Sequence, residues 1–456
     1  MNAVGYRRYL LGVLLSIYGF NFVDRCAFAL VLQDVKADLH LTDTQLGVLT
    51  GIAFALFYAV MGIPIARWAD KGNRKLIISI TTATWGLLVS ACGLATTFMQ
   101  LMMLRVGVAI GEAGCLPPAH SLIADHFTRE ERPRAVGVYM LGLSASAIVG
   151  FFIAGWLSQL YGWRIMFVLL GLPGPVLAVI AWFTLREPRQ GADGARGPAI
   201  SRVPTIAGEQ TTKPDCESLA RTDGTLLQVA MTLWSNKTFR HLLLYFSLAS
   251  LFDFAVVQWR PAFLMRSYGM QTGELGTWLA ALYGLGGICG TYLGGYWASG
   301  RAAGNERLQL QVVAVTIVLY GAISASVYLS PNRYWALGLM GVSSIAVAST
   351  YAPLYATVQT LLPEHMRATA VASIALFSNL IGMGLGPLMT GAMSDALRPW
   401  AGEQSLRFAL LALSPGYLWC VWHLWRASKT VGEDLRAARM LAHAPGISEG
   451  GCIDAT

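Results

Sequence analysis

Runs of roughly 20 apolar residues, the length a helix needs to cross about 30 Å of hydrocarbon, recur about twelve times along this 456-residue chain. In the first half they fall near 9–32, 46–66, 76–97, 99–124, 135–157 and 164–185. The second half supplies 239–265, 277–297, 310–329, 335–357, 368–393 and 406–425. Only 13% of the residues are charged, against roughly 25% in a soluble domain, and the mean hydropathy is +0.52. The expected fold class is therefore an all-α membrane protein of 12 transmembrane helices.

The net charge of +8 would suit a nucleic-acid binder only if it formed a basic face on a soluble domain. Here the basic residues sit in short clusters between apolar spans, where they read as topology signals. The loops between odd- and even-numbered helices carry only Lys36, Arg164, Arg266, Arg333, Arg398 and Arg407. Most of the 33 lysines and arginines lie on the N terminus, the other loops and the C-terminal tail. Basic loops stay on the cytoplasmic side, so both termini are expected there, in a cell inner membrane. Arg7 and Arg8 followed by apolar residues could also open a cleaved leader. The apolar stretch is too long for one and contains Asp24 and Arg25, so it is expected to remain as the first helix.

Residues 187–224 contain no aromatic residue and are rich in Gly, Pro, Ser, Thr and charge, the composition of a disordered linker. The chain divides into a six-helix bundle (1–186), a cytoplasmic linker (187–238) whose 225–234 is apolar enough to lie along the interface, a second bundle (239–427) and a tail (428–456). The halves echo one another. Gly72-Asn73-Arg74-Lys75-Leu76 recurs as Gly304-Asn305-Glu306-Arg307-Leu308, and Arg134-Ala135 as Arg367-Ala368. Near-equal offsets of this kind mark a duplicated unit.

Catalytic and metal signatures do not emerge. The 7 cysteines are scattered without a C-x-x-C pair. His120 and His126 lie near a helix end without zinc-like spacing, and a structural role is expected for them. The glycine-rich 284–295 contains G-x-G but no strand and no acidic partner, so helix packing is the expected role, with no nucleotide and no cofactor. Gly142, Gly150, Gly155, Gly382, Gly384 and Gly386 should likewise let helices approach closely. No enzyme activity is expected.

Residues 66–75 (ARWADKGNRK) resemble the major facilitator signature G-x-x-x-D-R/K-x-G-R-R/K, with Ala66 and Asn73 replacing its glycines. The resemblance implies two pseudo-symmetric six-helix bundles with the substrate path between them, and a cytoplasmic gate formed by Asp70, Lys71, Arg74 and Lys75. Asn21-Phe22-Val23-Asp24-Arg25, residues 105–112 (RVGVAIGE) and residues 117–139 are similar to the Spinster family, whose animal members move sphingosine-1-phosphate or lysophospholipids. That resemblance implies a secondary transporter working by alternating access, coupled to protons, for a lipid-like amphiphile or other organic anion. A small-molecule or drug exporter is the alternative, and a non-transporting membrane sensor a remoter one. Partners would be membrane lipids, protons and the substrate, with no nucleic acid, and the monomer would suffice.

Charges near mid-bilayer cost roughly 2.5 to 3.5 kcal/mol each on insertion scales, so Asp24, Arg25, Arg105 and Glu112 should face a path or a partner. Arg105 and Glu112 are seven residues apart and share one helix face, but about 10.5 Å of rise separates them, too far for a direct pair. By depth, Asp24 falls between them. We expect Asp24 and Glu112 to exchange the proton while Arg25 and Arg105 serve as charge switch or headgroup anchor; a static salt-bridge cluster is the bland alternative. Helix 7 carries Asp253 and Arg260, again seven apart, as a possible second-half site or a simple interhelical bond. Gly338 occupies the offset-matched place of Arg105, so the ionic chemistry is lopsided.

Overall fold

The structure is a computed structural model, and it describes residues 3–128, 131–188, 233–362 and 364–443. Most of the expected linker, and the body of the interfacial segment 225–234, lie outside the described residues.

The helices are α1 (Ala3–Leu30), α2 (Leu32–Leu39), α3 (Asp43–Thr50), α4 (Ile52–Lys71), α5 (Arg74–Cys92), α6 (Phe98–Ala113), α7 (Leu116–His126), α8 (Arg132–Gly171) and α9 (Pro173–Thr184) in the first half. The second half holds α10 (Lys237–Tyr268), α11 (Thr272–Leu279), α12 (Gly286–Ser299), α13 (Glu306–Leu329), α14 (Arg333–Leu361), α15 (Glu364–Phe377), α16 (Gly384–Ala401), α17 (Ser405–Leu413) and α18 (Gly416–His443). Two π-helical turns, Ala280–Leu285 and Ser378–Met383, join α11 to α12 and α15 to α16.

Nine helical stretches among the described residues are long and apolar enough to cross a bilayer. Two of these, Arg134–Thr184 and Thr369–Arg436, each fold back once. The first turns at Gly162, whose φ of 80° breaks α8 and suits a residue without Cβ. The second turns at the short 3-10 segment Gly402–Gln404. With α11, its π turn and α12 as a further crossing, the passages number twelve, in two sets of six. Some expected limits moved: the first span ends at Leu30, with Leu32–Leu39 as a separate helix, and the last helix runs on to His443, into the expected tail.

Lipid tails are as apolar as leucine, so helices in a bilayer associate through close packing rather than water exclusion. Large side chains such as Leu87, Phe183, Leu293 and Val315 accordingly point outward. The glycines do the joining. A Cβ on Gly290 would lie 2.4 Å from the Ile345 carbonyl oxygen, and one on Gly294 would strike Ser349, so the glycine-rich stretch packs α12 against α14, as expected.

One end of the bundle carries the turn at Gly72 and Asn73, the start of α8 and the segment before α13; this is the basic end. The halves meet at the opposite end along two seams. In one, α3 lies so close to α16 that a Cβ on Gly47 would fall 2.6 Å from the Pro387 carbonyl oxygen. In the other, a Cβ on Gly155 of α8 would fall 3.0 Å from Gly276 Cα of α11. Hydrogen bonds from Gln159 to Gln271 (2.7 Å) and from Trp156 to Thr277 (3.2 Å) extend this second seam.

Candidate functional site: an ionic ladder beside a central cavity

Helix α1 presents Asp24 and Arg25 to the α6 face that carries Arg105 and Glu112, and the four charges close as two ion pairs. Arg105 Nη1 donates to Asp24 Oδ2 at 2.7 Å. Arg25 donates to Glu112 Oε2 from Nη2 at 2.5 Å and from Nε at 3.0 Å. The two-turn spacing that keeps Arg105 from Glu112 lets α1 insert one partner for each. All but Arg25 are almost completely buried; Arg25 keeps 19% of its side chain exposed.

The pairing is incomplete by design of the site. Among the described residues, Asp24 Oδ1, Glu112 Oε1 and Arg105 Nε are buried without a hydrogen-bond partner, and the Asp24 and Glu112 charges act on each other. An arginine that loses its carboxylate is still held by aromatic faces, each worth about 2 kcal/mol or more when desolvated. The Arg25 guanidinium lies 4.4 Å from the Phe22 ring and 4.6 Å from Phe54; that of Arg105 lies 4.6 Å from Phe28 and 5.0 Å from the same Phe54. Phe54 of α4 thus stands between the two cations, with Tyr58 one turn on, 5.1 Å from Arg25. Sequence reasoning missed these rings, since one phenylalanine in an apolar run carries no mark of its own.

The ladder forms one wall of a cavity of about 410 Å³ between the halves. Arg25 and Arg105 reach it from the first half, while Gln258, Tyr283, Asn379 and Met383 line it from the second. The rest is largely apolar, including Phe151, Phe254 and Val257.

The remaining expected residues lie elsewhere. At the basic end Arg74 is fully buried and holds Asp125 at 2.6 Å, the Ser121 hydroxyl at 2.9 Å, and Glu187. Lys75 lies over the Trp182 ring. The Arg74 contacts reach no helix of the second half, and Asp125 and Glu187, the latter at the start of the expected linker, were not anticipated. Asp253 and Arg260 do not bind each other: Asp253 accepts from the Tyr417 hydroxyl at 3.3 Å, and Arg260 donates to the Tyr283 hydroxyl at 3.4 Å. Arg260 therefore stands behind Tyr283, away from the ladder.

A latch at the opposite end was also missed. Asp43 of α3 receives Arg266 of α10 through Nη2 and Nη1 (2.5 and 2.8 Å), Lys36 at 2.5 Å and the Ser394 hydroxyl at 2.6 Å. Asp395 of α16 in turn accepts the backbone N–H groups of Asp43 (3.1 Å) and Thr44 (2.7 Å), where an anion complements a helix N-terminus. The capping box of Thr42 and Gln45 was a sequence signal for that helix start, but nothing in it points 352 residues along the chain.

Residues 11–387 match the sequence profile of the Major Facilitator Superfamily. The chain belongs to this superfamily of transporters. Among relatives of this major facilitator, an MFS-type efflux pump of Mycolicibacterium smegmatis is 32% identical over 403 residues, covering 88% of each chain. A probable L-galactonate transporter of Escherichia coli is 24% identical over 395 residues, 86% of this chain and 82% of that one. In structure, the major facilitator is similar to a bacterial homolog of the human lysosomal transporter Spinster in an inward-facing, unoccupied conformation, with a TM-score of 0.79 and 28% identity over 94% of this chain and 98% of that one. The Spinster resemblance seen in residues 21–25 and 105–112 thus extends through the fold.

Proposed function

We propose that this multi-pass membrane transporter moves an amphiphilic organic anion by alternating access, driven by a proton gradient. The reading rests above all on one observation: two buried arginine–carboxylate pairs, each leaving a carboxylate oxygen unpartnered among the described residues, on the wall of a largely apolar cavity. An anionic headgroup that takes Arg25 or Arg105 frees Glu112 or Asp24 in a low-dielectric site, where the neutral acid is favoured. Proton uptake and anion binding then become linked. The apolar remainder suits an alkyl chain, and about 410 Å³ suits a single-chain species such as a lysophospholipid or sphingolipid-like molecule. The basic end is cytoplasmic in this reading, with both termini there, in the inner membrane, and the monomer is the working unit.

Purified protein in liposomes carrying a pH gradient tests this. Uptake of a fluorescent lysophospholipid should follow the gradient and fall to background in both Asp24→Asn and Glu112→Gln. Gradient-driven uptake that survives both substitutions overturns the coupling. The efflux-pump relative favours a second reading, export of a compact organic anion. Competition separates the two, since a headgroup-only anion that competes better than lysophospholipid supports the second.

A further inference from the structure

The ladder uses Arg25 and Arg105 of the first half; among the described residues, Arg260 on α10 is a buried arginine of the second half that no carboxylate holds. It is 1% exposed, and its Nε and Nη2 have no hydrogen-bond partner among the described residues. Those two nitrogens form one edge of the guanidinium, the fork that takes two oxygens of a carboxylate or phosphate side by side. Its other nitrogen, Nη1, makes only a long 3.4 Å bond to Tyr283. The Tyr328 hydroxyl, within electrostatic reach of Arg260, is also buried and unpartnered among the described residues. A fork and a hydroxyl left open together describe an oxyanion site without its oxyanion.

Tyr283, which holds the remaining nitrogen Nη1 of this guanidinium, lines the cavity itself. It sits on the π turn Ala280–Leu285, a helix distortion often found at functional positions. That turn is pressed by the other half. The Phe151 ring of α8 lies 5.7 Å from the Tyr283 ring, and a Cβ on Gly284 would fall 2.1 Å from Ile148. Both contacts belong to the seam between α8 and α11, so they are lost when the halves part at the latched end. A π turn relaxing to α rotates its residues by about 100°, enough to move the Tyr283 ring off the guanidinium.

We propose that Arg260, with Tyr328, is a second oxyanion site, covered by Tyr283 while the latched end is shut and presented to the cavity when it opens. The substrate headgroup is then handed between Arg25 or Arg105 in one state and Arg260 in the other. This rests on the amphiphilic-anion reading above. The oxyanion belongs either to a free anion or to an amphiphile headgroup, and the probes distinguish these.

The test uses full-length protein in phosphatidylcholine nanodiscs, titrated calorimetrically with inorganic phosphate and with decyl phosphate. One background carries Arg266→Ala to release the latch. The other carries Gln159→Cys and Gln271→Cys, bridged by a cleavable dithiol cross-linker to hold the seam shut. In the released background Arg260→Gln should weaken decyl phosphate binding at least about tenfold, and Arg260→Lys, which keeps the charge and guards against a folding defect, by about threefold or less. In the bridged background Arg260→Gln should change nothing until the bridge is cleaved. A response to inorganic phosphate equal to that for decyl phosphate assigns the site to free anions; a response to decyl phosphate alone assigns it to headgroups. Unchanged affinity in the released background, or equal losses in both, overturns the proposal. If the bridged protein binds and loses binding with Arg105→Gln while Arg260→Gln is silent everywhere, the transport reading stands and this site falls; if no background binds either probe, both fall.

Discussion

At the residue scale, the energetic asymmetry of buried ion pairs sets what each ladder position can tolerate. Removing one member strands an opposite charge in low dielectric, at a cost of about 3–5 kcal/mol, whereas removing both is close to neutral. Arg105→Gln should therefore lower the stability of the detergent-solubilised protein by about that amount, and Asp24→Asn/Arg105→Gln should recover most of it, as read from chemical unfolding followed by tryptophan fluorescence. Equal losses in single and double variants would mean that Arg105 packs rather than pairs. The four ladder residues were legible in the sequence because a charge amid apolar residues has few physical excuses. Which charge meets which was not legible: depth along a helix placed Asp24 between Arg105 and Glu112, but rotation about α1 decides that Arg25, and not Asp24, takes Glu112. Phe54 was invisible for the opposite reason, being one of 18 phenylalanines that any apolar span would hold.

At the scale of elements, the seams are governed by residues without side chains. Gly155 and Gly276 allow α8 and α11 to touch backbone to backbone, where an added Cβ would sit 2.5 Å from the Thr272 carbonyl oxygen. A larger residue there has no flexible neighbour to displace, so it acts on the seam as a whole. Gly155→Leu should hold the latched end open, and a membrane-impermeant maleimide should then label Gln271→Cys several-fold faster (about 1 kcal/mol of population shift for a fivefold change) than in the protein with Gly155 intact. Unchanged labelling would show that the seam yields elsewhere. The glycines on α8, α12 and α16 were readable as contact points from their spacing, and the spans from their length. The two π turns were not, because a π turn is chosen by the tertiary fit of its neighbours, here Ile148 and Phe151 against Ala280–Leu285, and leaves no period of its own.

For the molecule as a whole, alternating access requires that each closed end be strong enough to hold and weak enough to release. The seams supply contact area, and the latch of Asp43, Arg266, Lys36 and Asp395 supplies the charge term that a conformational equilibrium can trade against substrate binding. Arg266 reaches Gln33 as well as Asp43, at 2.7 Å, so its loss unties α10 from α2 and α3 together. Asp395→Asn, by contrast, keeps the shape but removes the charge that caps α3 and replaces one accepting oxygen with an amide donor. The duplicated fold was legible in the sequence because each half repeats its loops and spans. The latch was not, since its partners come from opposite halves of the chain. Breaking it should shift the population without destroying the fold. With spin labels introduced at Leu39 and Tyr334, pulsed electron–electron distances should lengthen and broaden in Arg266→Ala, and less so in Asp395→Asn. A change in population from about one per cent open to half open corresponds to about 2.7 kcal/mol of lost latch energy, within reach of a bidentate buried pair. Distances identical to wild type in both variants would leave the seams as the sole hold on this end. An open population in Asp395→Asn that exceeds the one in Arg266→Ala would shift the weight of the latch from the ion pair to the helix cap.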